Sequence, residues 1–359
     1  MNLRIPGPIP VTEDILEAMA GPMINHRGPH FKEILYRVTE RIQTIFETDS
    51  DVYILTSSGT GAMEGSIVNT LSPGDEVLNL SIGFFGDRFG EIARIYGASV
   101  TELSFPWGKA VDVDKVRGAL QSNPNIKAVL VTHNETSTGV TNNLEEIAGV
   151  VKGDFDKILL VDGISSVCSI PLKTDTWGCD VVATASQKGW MLPPGLAFIS
   201  FSSRAWDAYK ESSMPKYYLD LGQYKKYFEK GQPPYTPGLS TFFALDLALD
   251  KIAGEGLGTL FERHKEIAQM TRDGIKSIGL DLFPEESVAS DTVTAVKVPT
   301  GISGNDLLSI LRKEYDIVVG GGQGPVEGQI FRIGHMGHVE AQEIQEVIDG
   351  LSSILKKIR

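Results

Sequence analysis

Ile158 to Val161 is wholly apolar, and amphipathic stretches separate it from similar short runs on either side. A strand without polar alternate positions is covered on both faces, which points to a parallel sheet between layers of helices. The pattern repeats for about 200 residues. Strands are predicted at Val52 to Thr56, Glu76 to Leu80, Ser99 to Ser104, Lys127 to Thr132, Val181 to Ala185 and Leu196 to Phe201. Helices are predicted over Lys32 to Glu47, Ala62 to Leu71, Phe89 to Tyr96, Val113 to Gln121 and Leu144 to Val151. Alternation of this kind specifies an α/β fold with a mostly parallel sheet. A Tyr-, Lys- and Pro-rich stretch near Ser203 to Pro237 reads as irregular, and a helix over Thr241 to Ala253 leads to a smaller α+β region. The expected organisation is an arm over 1–15, a large domain over 16–253 and a small C-terminal domain over 254–359.

At 359 residues the chain can bury a large core. Its 33 Lys and Arg against 46 Asp and Glu argue against nucleic acid or an anionic membrane as principal partner. Cys168 and Cys179 form no C-x-x-C pair, so they read as reduced, buried thiols. With no apolar leader and no run of about 20 apolar residues, a soluble cytoplasmic protein is expected.

Five segments carry candidate chemistry. Ser57-Ser58-Gly59-Thr60-Gly61 stands between a strand and a helix, where first-turn N–H groups and the helix dipole suit a phosphate. It lacks the Gly-Lys-Ser/Thr of a nucleotide-triphosphate loop and alone reads equally well as an ordinary turn. Asp162 ends a buried strand, the usual ligand side of such sheets, and needs a cationic or hydrogen-bonding partner unless it merely caps the turn. Lys188 follows an apolar strand beside Trp190 and a rigid Pro193-Pro194-Gly195 turn. Partial desolvation there lowers an amine's pKa, as imine chemistry requires, although most lysines are solvated. His133 to Gly139 has poor metal-ligand spacing, and no metal site is expected. Arg332 stands in the apolar run Phe331 to Gly334, where it needs either a bound carboxylate or an internal salt bridge.

Together and in this order, the segments resemble the class V aminotransferases of fold type I, and within them the alanine–glyoxylate and serine–pyruvate or serine–glyoxylate group. The resemblance runs from Pro6-Gly7-Pro8-Ile9-Pro10 through Ser58-Gly59-Thr60, His133 to Gly139, Val161-Asp162, Ser186-Gln187-Lys188 and Tyr235-Thr236-Pro237 to Arg332-Ile333-Gly334. It implies a seven-stranded, mostly parallel sheet, pyridoxal 5′-phosphate as cofactor and a homodimer with shared active sites. Lys188 would form the Schiff base and shuttle the proton, and Asp162 would face the pyridine nitrogen. Ser58, Gly59 and Thr60 would hold the phosphate, with Thr236 reaching it from the other subunit. Phe85 would stack on the ring where relatives often carry Trp, Ser137 would lie near the ring hydroxyl, and Gln187 would add a polar contact. Arg332, with Gly7 of the arm, would serve the substrate. Pro233 stands where some relatives place a tyrosine, and Tyr235 either substitutes or packs.

The implied reaction is ping-pong transamination from alanine or serine to glyoxylate or pyruvate. His26-Arg27 keeps an aspartate or phosphoserine substrate open as a second anion site. A cysteine desulfurase needs a cysteine after the lysine, and none follows Lys188. A nicotinamide dehydrogenase needs its glycines between strand and helix, whereas Gly320 to Gly324 leads into the Arg332 strand. A cofactor-binding accessory protein is the remaining alternative, disfavoured by the presence of Lys188, Asp162 and Arg332 together.

Overall fold

The computed structural model describes residues 1–358. Seven strands form the main sheet in the order Asp51–Leu55, Ala197–Phe201, Val181–Ala185, Ile158–Asp162, Ala128–Thr132, Glu76–Ser81, Ser99–Ser104. Ala197–Phe201 runs antiparallel to both neighbours; every other pairing is parallel. The all-apolar strands are buried on both faces, as their composition requires. Val129, Val131, Leu159 and Val161 enter one core, while Ala128, Leu130, Ile158 and Leu160 enter the other. Each buried Val or Leu contributes about 2 kcal/mol by leaving water.

A second sheet of four strands, ordered Asn2–Arg4, Ile317–Gly321, Ile330–Gly334, Val293–Lys297, packs on its own helices. The chain's first strand therefore belongs to the sheet made by its last hundred residues. Asn2 to Arg4 pair in parallel with Ile317 to Val319, and the buried Arg4 guanidinium pins the arm to Glu343 at 2.7 Å.

Three expectations change. The region expected to be irregular holds two helices, Ser203–Glu211 and Leu221–Phe228, capped by the Ser202 and Asp220 side chains. The helix expected from Phe89 begins a turn earlier, at Phe84, because its first N–H groups find acceptors on a turn fifty residues away. The arm, expected to be extended and separate, contributes a strand. No described helix is long and apolar enough to cross a membrane.

Candidate active site

Three neighbouring parallel strands end on one edge of the main sheet, and each delivers a functional group there. Ala128–Thr132 leads into the His133-to-Gly139 turn, Ile158–Asp162 ends on the carboxylate of Asp162, and Val181–Ala185 leads to Gln187 and Lys188. These groups meet in a cavity closed on one side by the start of the Gly59–Thr70 helix and on another by Phe85. Ser58 makes no side-chain cap on that helix, so the first-turn N–H groups of Gly59 and Thr60 face the cavity without a protein partner. Such a helix start is an anion seat.

Asp162 is buried. Loss of solvent pushes its carboxyl up to about 7, and the nearby Glu135 charge pushes the same way. The Ile164 N–H at 2.9 Å, the Lys188 charge and the Thr132 hydroxyl only partly offset this. Lys188 is pulled down to about 8, chiefly by burial, with the Arg332 charge lowering it and the Asp162 charge raising it. Lys188 borders the cavity and is half-buried. The amine donates to the carbonyl of Pro6. Gly7 follows with φ +122°, and a Cβ there would stand 2.6 Å from Nζ, so both backbone and space call for glycine. The arm therefore lies directly on the lysine.

Arg332 enters from the second sheet. Its Nε donates to Gly321 O at 2.8 Å, and Nη1 to Gln323 Oε1 at 3.0 Å and Thr136 O at 3.2 Å. No carboxylate binds it directly, and burial lowers its pKa to about 10. The glycine-rich turn excluded as a nucleotide loop thus orients this arginine. Asn134, on the cavity wall, donates to Ser165 Oγ at 2.7 Å and Thr292 Oγ1 at 2.8 Å, and accepts from Thr141 and Ser290. It joins the two sheets beside the cavity.

Residues 14–347 match the family model Aminotransferase class-V. The chain belongs to the class-V aminotransferase family. As a member it is a pyridoxal-phosphate-dependent transaminase acting on an amino acid and an oxo acid, built on fold type I. A protein of Synechococcus sp. named soluble hydrogenase, small subunit, is 43% identical over 99% of this chain and 93% of its own length. The L-aspartate–glyoxylate aminotransferase of Paracoccus denitrificans is 36% identical, covering 93% of this chain and 85% of that protein. The crystal structure of alanine–glyoxylate aminotransferase from Nostoc sp. superposes with a TM-score of 0.95 at 31% identity, over 98% of this chain and 94% of that one.

The residues present fit the family's cofactor. A buried acid with no ion pair among the described residues, a depressed amine, an open helix start and an aromatic ring surround one cavity. Gln187 Oε1 is a buried acceptor with no protein donor. Each lack is answered by a flat pyridine carrying an aldehyde, a ring hydroxyl that can donate, a basic nitrogen and a phosphate.

Of the expected residues, Ser58, Gly59, Thr60, Phe85, Asp162, Gln187 and Lys188 line the cavity, and Gly7 and Arg332 adjoin it. Ser137 does not line it. Its hydroxyl donates to Glu135 at 2.6 Å and accepts from the Phe84 N–H at 2.9 Å, so the neighbouring Thr136 takes the wall position. Thr236 is exposed in the single chain, and Tyr235 stacks on Tyr218 with centroids 5.0 Å apart. Arg27 lies over Tyr227, away from the cavity. Sequence reasoning missed Asn134, Thr136 and Arg88. Arg88 could have been found from its i+3 spacing to Phe85, which puts both on one helix face.

Proposed function

We propose that the chain is a cytoplasmic homodimer that takes an amino group from a small L-amino acid, serine or alanine, and delivers it to glyoxylate or pyruvate. The observation that carries this reading is one cavity shared by the depressed amine of Lys188, the buried acid Asp162 and the approach of the Arg332 guanidinium. Pyridoxal phosphate, when bound, supplies an aldehyde for imine exchange and a ring that accepts the electron pair left at substrate Cα. Gly59 and Thr60 offer N–H groups to the phosphate, and Phe85 covers one face of the ring. Asp162, as an anion, would hold the ring nitrogen protonated. Arg332 would take the substrate carboxylate through Nη2, its Nε and Nη1 being engaged by Gly321, Gln323 and Thr136. Lys188 would take the proton from substrate Cα and return it one carbon away. Thr236, exposed on its own chain, reaches the phosphate of the partner subunit.

One observation favours an acidic donor such as aspartate. Arg88 lines the same cavity, rests on the rings of Phe84 and Phe85 at 5.1 and 5.0 Å, and has no ion-pair partner among the described residues. A second carboxylate on the substrate would neutralise it. The hydrogenase name of one relative has no counterpart in these side chains, which are furnished for amino-group chemistry.

Absorbance spectra of the purified protein with L-serine, L-alanine and L-aspartate test the reading, beside a Lys188→Ala control. The visible band of the lysine-bound cofactor should give way to the pyridoxamine form with the true donor. Aspartate alone acting, with its kcat/KM falling at least tenfold in Arg88→Gln, selects the acidic donor. No band after pyridoxal phosphate is supplied ends the proposal.

A further inference from the structure

Glu135 is fully buried between Asn134 and Thr136, which line the cavity, and the transamination reading gives it no task. Its carboxylate is caged by donors. Oε2 accepts from the N–H groups of Phe85 and Gly86, both at 3.0 Å. Oε1 accepts from the Ser137 N–H at 3.0 Å and the Ser137 hydroxyl at 2.6 Å. Four donors on two oxygens favour the ionised form over the protonated one. Burial pushes this carboxyl upward, and all four bonds oppose that shift. The charge also stands at the positive end of the Phe84–Ile95 helix.

Two functional groups hang from this cage. Together with Ser137 Oγ, which accepts from Phe84, the carboxylate binds the first three N–H groups of the helix, and these set where the Phe85 ring stands. Between Glu135 and Ser137 lies Thr136, whose carbonyl accepts from Arg332 Nη1 at 3.2 Å. Arg332, which has no direct carboxylate partner, feels the Glu135 charge. The close approach depends on Gly83, where a Cβ would fall 2.5 Å from Ser137 Oγ and 2.6 Å from Glu135 Cγ.

We propose that Glu135 is a positioning residue that sets both the ring of Phe85 for the cofactor and the guanidinium of Arg332 for the substrate carboxylate. This rests on the proposed transaminase reading of the cavity. The Ser58–Thr60 helix start makes no bond to Glu135, so phosphate binding there lies outside its reach.

The test uses Glu135→Gln, which keeps the shape but turns an NH2 toward donors. Three affinities are measured by titration: pyridoxal phosphate to apoprotein, inorganic phosphate to apoprotein, and a non-reactive monocarboxylate to holoprotein. Pyridoxal phosphate and the carboxylate should each bind about tenfold more weakly, while inorganic phosphate binds as before, and the circular dichroism of the bound cofactor should diminish. Equal loss of all three, phosphate included, reduces Glu135 to a structural role and overturns the proposal, as does no change in any. If Glu135→Gln does not fold, Gly83→Ala decides the matter, because it pushes the same helix start off the carboxylate while keeping the charge. Wild-type protein that binds no pyridoxal phosphate would instead sink the transaminase reading.

Discussion

Burial holds Asp162 and Lys188 away from their ordinary protonation states, each only partly restored by the other's charge, and the pH dependence of the apoprotein should show it. Asp162 titrates near 7 when folded against an ordinary value of 3.8. Below about pH 4 the acid is protonated folded or unfolded, and nothing is lost. Between about 4 and 7 the unfolded chain gives up the proton that the folded chain keeps, so stability falls by a few kcal/mol at most. Asp162→Asn should abolish that fall, so its apoprotein melts a few degrees above wild type at pH 7 and level with it at pH 4. Parallel melting curves would remove the strain assigned to Asp162. For Lys188 the direction reverses. A pKa of about 8 in place of 10.5 makes the neutral amine roughly 300-fold more abundant at pH 7. Reconstitution of apoprotein with pyridoxal phosphate should quicken about tenfold per pH unit and level off near 8; a rate still climbing at pH 10 would contradict the depressed amine. Lys188, Asp162 and Arg332 were legible in sequence because each is a polar residue set directly in or after an apolar run. Ser137 was misread because Ser137 and Thr136 differ only in which hydroxyl a distant helix start engages. No local pattern carries that.

Among the elements, the arm couples most directly to the chemistry. It is held by three parallel-strand pairs and by Arg4, whose side chain is 1% exposed and ion-paired with Glu343 at 2.7 Å. It ends on the carbonyl that Lys188 engages. Arg4→Ala removes the buried cation's packing and leaves Glu343, itself partly solvated, without its partner. Destabilisation of about 1–3 kcal/mol is expected, less than for a fully buried pair. Limited proteolysis should cut within the first ten residues of the variant before the rest of the chain melts. Cutting and melting that stay coincident would mean that the arm does not move alone. That strand was not readable beforehand, since Asn2-Leu3-Arg4 is too short to show a period and its partner lies three hundred residues on. The helices starting at Ser203 and Leu221 do bury periodic faces, Ala205 with Ala208 and Leu221 with Tyr224, but these are short and set among tyrosines, lysines and prolines.

At the scale of the molecule, the main sheet was legible because apolar runs covered on both faces leave few other folds, whereas the partner surface was not. Around Thr236, Tyr217 is 81% exposed and Tyr218 stacks on Tyr235. On the proposed shared-site dimer, each cavity takes Lys188 from one chain and Thr236 from the other. Lys188→Ala lacks the amine at both sites, and Thr236→Val weakens the phosphate seat at both when cofactor is scarce. Unfolded together and refolded as a mixture, the two should form mixed dimers in which one site has both residues and the other neither. With random pairing about half the dimers are mixed and one site in each is whole, so activity at limiting cofactor should return to about a quarter of wild type. The separately refolded variants, combined only afterwards, should show no such recovery. If the mixture does no better than the sum of its parts, Thr236 serves its own chain's cavity or none, and the sites are not shared.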